Sequence, residues 1–153
     1  MDVTHVTPFI DGFFTVLPQL GFTNISRGKL GLKDKLTSTQ NVTGIIGLSK
    51  QIRGNVAYSM SEDTAKRIAS TMMMGMEVAE FDEMAQSAIS ELVNMVTANS
   101  VIHFEEKGVL IDISPPVLIV GENVTVMVCQ VKTIAVEIIT EVGIIEVNIG
   151  LEI

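Results

Sequence analysis

Ser87, Ser90, Glu91 and Asn94 fall within eight residues, in the run Ser-Ala-Ile-Ser-Glu-Leu-Val-Asn. At about 100° per residue they share one narrow stripe of a helix, which Ala98 continues. Ala88, Ile89, Leu92, Val93 and Val96 take the opposite side. A helix with this pattern buries one flank and turns a small patch of hydroxyl, carboxylate and carboxamide outward. Glu91 and Asn94 are three apart, so they are neighbours on the helix surface. A carboxamide donates and accepts at once and can orient an attacking water, while a carboxylate can bind a cationic group on a partner. The pair carries neither nucleophile nor metal, so any chemistry here requires a substrate that brings both the electrophile and the ion. The competing reading is a solvated helix face, on which Ser, Glu and Asn are commonplace. Two details weigh against it. Ser and Asn are poor helix-interior residues, so gathering them on one stripe costs helix propensity. The stripe also lacks the Lys or Arg partners of an ordinary charged surface.

Other chemistries lack their residues. The chain has no Walker-type phosphate loop and no Gly-x-Gly-x-x-Gly between strand and helix. His5 and His103 have no neighbouring His or Cys at metal-ligand spacing and read as polar surface. Cys129 alternates within a strand-like run and reads as a small core residue, and no Gly-x-Ser-x-Gly elbow is present.

A length of 153 residues predicts a single domain, 1–153, able to bury a real core. The net charge of −8 speaks against a non-specific nucleic-acid binder, which needs a basic surface to displace counterions. Apolar residues make up 47% but are interrupted throughout, so no transmembrane helix is expected. The start, Met-Asp-Val-Thr-His, lacks the basic and apolar regions of a signal peptide. With a single cysteine and no internal disulfide, the expected location is the cytoplasm. The nine methionines, three of them consecutive at Met72 to Met74, read as soft core filler at helical spacing.

The elements that would position the stripe follow from periodicity. Residues 1–20 predict a helix with Phe9, Ile10, Phe13, Phe14, Val16 and Leu17 on its apolar side, closed by Pro18 and Gly21. Thr7 and Pro8 offer a cap and first-turn pair, unless the helix begins earlier and bends there. Residues 23–41 are polar and read as a loop or an irregular edge strand. Val42 to Leu48 and Gly54 to Met60 predict an antiparallel hairpin. Ser61 caps the next helix, with Glu62 and Asp63 in its first turn, Ala65, Ile68, Ala69, Met72 and Met73 on its apolar face, and Gly75 as its stop. Asp82 caps the long central helix, with Phe81 at the staple position and the periodic pattern reaching about Phe104. Short strands are expected at Val109 to Ile113 and Val117 to Val120, divided by Ser114-Pro115-Pro116, with a turn at Gly121 to Asn123. The last thirty residues are strand-like. In the terminal strand, Ile145, Val147, Ile149, Leu151 and Ile153 alternate with Glu146, Asn148 and Glu152, which predicts one covered and one wet face.

The spacing Ser87-x-x-x-Glu91-x-x-Asn94, followed about twenty residues later by Pro115-Pro116 within Asp-Ile-Ser-Pro-Pro, resembles the signature of the CheC/CheX/FliY phosphatases of bacterial chemotaxis. The fit is best to the CheX branch. The run Met-Met-Met-Gly-Met-Glu before Phe-Asp-Glu-Met-Ala, and the hairpin Gly-Asn-Val-Ala-Tyr-Ser-Met-Ser, share the likeness, which extends from about residue 42 to the end. The resemblance implies an α+β sandwich of the CheC-like type, with two long helices packed on an antiparallel β-sheet. It implies a phosphatase acting on the aspartyl-phosphate of a phosphorylated CheY-type response regulator. By that likeness Asn94 would position the attacking water and Glu91 would engage a CheY lysine. Ser87, Ser90, Pro115 and Pro116 would support them. The chain would carry no cofactor of its own, and the Mg²⁺ would belong to the CheY partner. A homodimer formed through the sheets is also implied, for which the β-rich C-terminal third offers an edge. Two alternatives stay open: a CheC-like module that binds a receiver without hydrolysis, and a dimerisation domain whose Ser-Glu-Asn face is idle.

Overall fold

The computed structural model describes residues 3–33, 36–128 and 133–152. Its elements in chain order are α1 (Val3–Gln19), β1 (Ile25–Lys33), β2 (Leu36–Ser38), β3 (Val42–Lys50), β4 (Arg53–Met60), α2 (Glu62–Met72), α3 (Glu83–Glu106), β5 (Ile111–Ile113), β6 (Val117–Val120), β7 (Thr125–Met127), β8 (Thr133–Thr140) and β9 (Gly143–Glu152). Seven strands form one antiparallel sheet in the order β1-β8-β9-β4-β3, with β5 and β6 both paired to the far side of β3. Three helices pack against it, two of them long, which is the α+β sandwich the family resemblance implies.

The hairpin, both expected caps and the long helix are present. Ser61 Oγ accepts from the Thr64 N–H at 3.1 Å, and Asp82 Oδ1 accepts from the Ala85 N–H at 3.0 Å. Helix α1 begins at Val3 and runs through Pro8, so it does not start at a Thr7 cap. Residues 25–33, expected as loop or irregular edge, form a nine-residue edge strand with a register shift between Arg27 and Leu30. Only Ile111–Ile113 of the expected strand from Val109 joins the ladder.

Helix α2 ends by a route the sequence does not suggest. The Gly75 N–H donates to the Ser70 carbonyl at 2.8 Å and the Met74 N–H to the Thr71 carbonyl at 3.2 Å, which is a Schellman closure. The left-handed residue at its C′ position is therefore Met74, at φ 60°, with Gly75 following at φ 88°. A side chain in that region costs about 1 kcal/mol relative to glycine.

Helix α3 lies on the β3 side of the sheet, beside α1. On the sheet side, Val93 packs on Gly44 of β3, where an added Cβ would stand 3.1 Å from a Val93 methyl. The buried Tyr58 hydroxyl of β4 meets Thr97 Oγ1 at 2.7 Å, and Thr97 Oγ1 also donates to the Val93 carbonyl. Burial pushes the Tyr58 phenol well above its ordinary range, with the Thr97 hydrogen bond acting against this. On the other side, Gly12 of α1 lets the two helices touch, since a Cβ there would fall 2.5 Å from Ser100 Oγ. Phe9 stacks edge-on against Phe104 and Phe13 against Tyr58. His103 is half-buried in this layer, not ordinary polar surface.

The second face of the sheet is covered at its centre, while Ile139, Ile144 and Glu152 on the same face stay exposed. Thr43, Ala57, Ser59, Thr133 and Asn148 all point to that face and are buried, Asn148 at 1% exposure. Residues 36–41 and 121–128 lie over this face and meet as the two-stranded β2–β7 ribbon. The Asn55 side chain donates to the Val128 carbonyl at 2.8 Å, and the Gln40 N–H donates to Ser59 Oγ at 2.8 Å, tying these segments down. Alternation in the terminal strand therefore places Ile145, Val147, Ile149 and Leu151 in the core as expected, but Asn148 is covered too. Cys129 and Ile153 lie outside the described residues. The long C-terminal strands β8 and β9 each have partners on both sides, so they provide no free edge.

A cleft between the central helix and a proline wall

The stripe on α3 faces a cleft of about 820 Å³. Glu83, Gln86, Ser87, Ser90, Glu91 and Asn94 line one side, and Ile113, Ser114, Pro115, Pro116 and Leu118 the other. Every residue singled out from the sequence is thus brought to one place, including the two prolines more than twenty positions downstream. Ser87 and Glu91 are exposed, whereas Ser90 and Asn94 are half-buried. The face is therefore a cleft wall, not a freely solvated flank.

The helix side is fixed in rotation. Val93 and Thr97, flanking Asn94 on the chain, are the residues that key into Gly44 and Tyr58. Turning the helix to move Asn94 would break a buried hydroxyl pair, which costs about 1–3 kcal/mol when one partner is left unsatisfied. At the entrance to the helix, the Gln86 amide donates to the Phe81 carbonyl at 3.0 Å.

The opposite wall is a consequence of how β5 and β6 share one strand edge. Ile113 pairs with Leu48 and Val117 with Ile45, so three residues of the loop stand opposite two of β3. That excess bulges. Proline has no N–H to give to a ladder, so Pro115 and Pro116 suit a segment that leaves it. Ser114 anchors the bulge: its N–H donates to the Gly47 carbonyl at 2.9 Å and its Oγ accepts from the Gly47 N–H at 2.7 Å. Ser114 Oγ also donates to the Pro115 carbonyl at 3.3 Å.

Sequence reading missed Glu83, Gln86 and Ser114. Glu83 and Gln86 extend the helical stripe by one turn toward its start, and that spacing was available. Nothing local marks Ser114, because its role depends on a partner 67 positions away. Among the described residues, no group of three His, Cys, Asp or Glu side chains is placed to hold a metal ion. No helix among them is long and apolar enough to cross a membrane.

Fold and cleft together define a CheC-like α+β domain. A CheC-like superfamily protein from Shewanella sp. PV-4 superposes with a TM-score of 0.86 at 27% identity, covering 99% of each chain. The chemotaxis phosphatase CheX family matches residues 42–139, and the chain belongs to that family. It is 30% identical over 126 residues to the CheY-P phosphatase CheX of Thermotoga maritima, covering 82% of this chain and 81% of that protein. The CheX of Borrelia burgdorferi, solved as a complex with CheY, BeF3 and Mg²⁺, superposes with a TM-score of 0.82 at 31% identity, covering 97% of this chain and 98% of that one.

Proposed function

We propose that this protein is a cytoplasmic phosphatase, a single CheX-like domain of residues 1–153, that hydrolyses the aspartyl-phosphate of a phosphorylated CheY-type response regulator in chemotaxis signalling. The observation that carries the reading is the convergence of Glu91, Asn94 and the Pro115-Pro116 wall on one open cleft in a chain of the CheX family. The relatives named as CheY-P phosphatase and as a CheX–CheY complex support the choice of substrate.

The cleft residues suit catalysis by positioning. In the proposed step a water oxygen attacks phosphorus, the bond from phosphorus to the aspartyl oxygen breaks, and phosphate leaves with the receiver's carboxylate restored. Asn94 enters the receiver's site, where its carboxamide carbonyl accepts from the water and its amide group donates. Glu91, exposed on the same stripe, takes the ammonium of a receiver lysine and sets the approach. Ser87 and Ser90 flank them, and Pro115 and Pro116 form a stiff opposing wall. The chain contributes no cofactor; the receiver brings the Mg²⁺ that neutralises charge on the phosphoryl group. Phosphoryl transfer needs alignment and charge stabilisation more than covalent help, so two oriented side chains suffice.

The test is phosphate release from a phosphorylated receiver with wild type, Asn94→Ala and Glu91→Ala. Loss of the oriented water in Asn94→Ala should lower kcat by about 100-fold. Glu91→Ala should act chiefly on KM, because the lysine contact is made in ground state and transition state alike. Wild-type rates in both variants would remove the site assignment. Receiver binding without faster phosphate release by wild type would favour the non-enzymatic module instead.

A further inference from the structure

The loop between α2 and α3 holds a methionine in backbone space that glycine usually takes. Met74 occupies the left-handed C′ position at φ 60°, where Gly or Asn is the usual residue, and its side chain is 98% exposed. Met76 and Met84 are 61% and 62% exposed. Met73, Met76 and Met84 line a hollow of about 300 Å³ with Glu77, Val78, Ala79, Glu80 and Asp82. Lys66 Nζ donates to the Ala79 carbonyl at 3.4 Å, so the loop is tied to α2. Exposed thioethers held on a tied loop are contact groups: the side chain is long, unbranched and polarizable, and it conforms to unlike apolar surfaces.

The hollow and the cleft adjoin at the first turn of α3. Met84 lies in the first turn of α3, three, seven and ten residues before Ser87, Glu91 and Asn94, hence on the same stripe. Glu83, beside it, lines the cleft, while Asp82 and Met84 line the hollow. Ten residues of helix separate Met84 from Asn94 by about 15 Å, a distance one small partner domain can span. Charge points the same way. Glu77, Glu80 and Asp82 line the hollow with Met73, Met76 and Met84, Glu83 lines the cleft, and among the described residues neither lining includes a Lys or Arg.

We propose that Met74, Met76 and Met84 form a docking rim that holds the receiver domain while Asn94 reaches its phosphoryl group. The rim takes an apolar patch of the receiver, and the carboxylates of the two linings take basic residues beside that patch. Which receivers are accepted is set here, 15 Å or so from the chemistry, by whether they carry an apolar patch flanked by Lys or Arg at that reach. The proposal rests on the phosphatase reading for the identity of the partner.

The experiment titrates a CheY-type receiver, loaded with beryllofluoride and Mg²⁺, with wild type, Met74→Gly, the pair Met76→Ser and Met84→Gln, and Asn94→Ala. Steady-state phosphate release is measured alongside. The paired variant should weaken binding about tenfold and raise KM to match, with kcat within about twofold of wild type. Met74→Gly relieves backbone strain, so it should melt at the same or a higher temperature and yet bind more weakly. A merely structural loop predicts no such opposition between stability and affinity. Dissociation constants within about twofold of wild type in every methionine variant would overturn the rim. So would a failure of wild type to bind any receiver. Methionine-dependent binding without phosphate release would leave the rim standing and remove the phosphatase reading. Asn94→Ala, expected to bind while losing turnover, keeps the two separable.

Discussion

Asn94 and Glu91 differ in what holds them, and that difference matches the parts assigned to them. Asn94 is half-buried beside two keyed residues, so its carboxamide has little freedom to lose when a water must be oriented. Glu91 is exposed and can swing to meet a cation. A second carboxylate shows how strongly local donors act even at the surface. Glu141, in the β8–β9 turn, accepts from the Thr23 hydroxyl at 2.7 Å and the Thr23 N–H at 2.8 Å. These donors, the hydroxyl first, hold its pKa down from 4.5 to about 2. A carboxyl with a depressed folded pKa stabilises the fold above its unfolded value and loses that contribution as pH falls through the folded one. The protein should therefore lose stability between pH 4.5 and about 2 in part through this group. Denaturant unfolding at pH 7, 4 and 3 should show a shallower acid decline in Glu141→Gln than in wild type, and parallel curves would dismiss the link.

At the scale of elements, close approach decides more than propensity. Gly12 sits inside α1, where alanine normally adds about 1 kcal/mol of helix stability. Here a Cβ would stand 2.5 Å from Ser100 Oγ and 2.8 Å from the Val96 carbonyl. Overpacking of that kind costs about 1–3 kcal/mol, so the sign reverses and Gly12→Ala should destabilise. Chemical unfolding measures it, and a stabilised variant would show that α1 and α3 separate easily. The two walls of the cleft were unequally legible for the same reason. Asp82 capping, the stripe and its extension to Glu83 and Gln86 follow from helical period alone. The proline wall is built by sharing of the β3 edge between β5 and β6, and by the two Ser114–Gly47 hydrogen bonds.

At the scale of the whole molecule, strand order determines which surfaces a partner can reach. The homodimer implied by the family likeness, which we propose here, cannot add strands at β8 or β9, because both are interior. Strand β1 pairs with β8 alone among the described residues, and it exposes Leu30 and Leu32, the latter at 71%. An edge with exposed apolar side chains is open to strand addition. Sedimentation equilibrium should give twice the chain mass for wild type and one chain mass for Leu30→Lys with Leu32→Lys, and a dimer unaffected by both changes would move the interface elsewhere. The cleft opens on the opposite side of the sheet order from β1, across β8, β9 and β4, so dimerisation at β1 leaves Asn94 free for a receiver.

The sequence by itself determined what short-range physics can encode: the hairpin, the two helix caps, the amphipathic period of α3 and the type and spacing of the stripe residues. Each depends on neighbours within a few positions. Only the tertiary structure decided that Asn148 is covered, that β8 and β9 lie inside the sheet, and that Pro115 and Pro116 stand across from Asn94. Those facts depend on pairings between segments tens of residues apart, whose register leaves no periodic trace in either segment. The β2–β7 ribbon lying over the sheet covers the centre of a face that alternation alone would give to water. The same long-range pairing turned an oddly polar helix flank into one wall of a cleft.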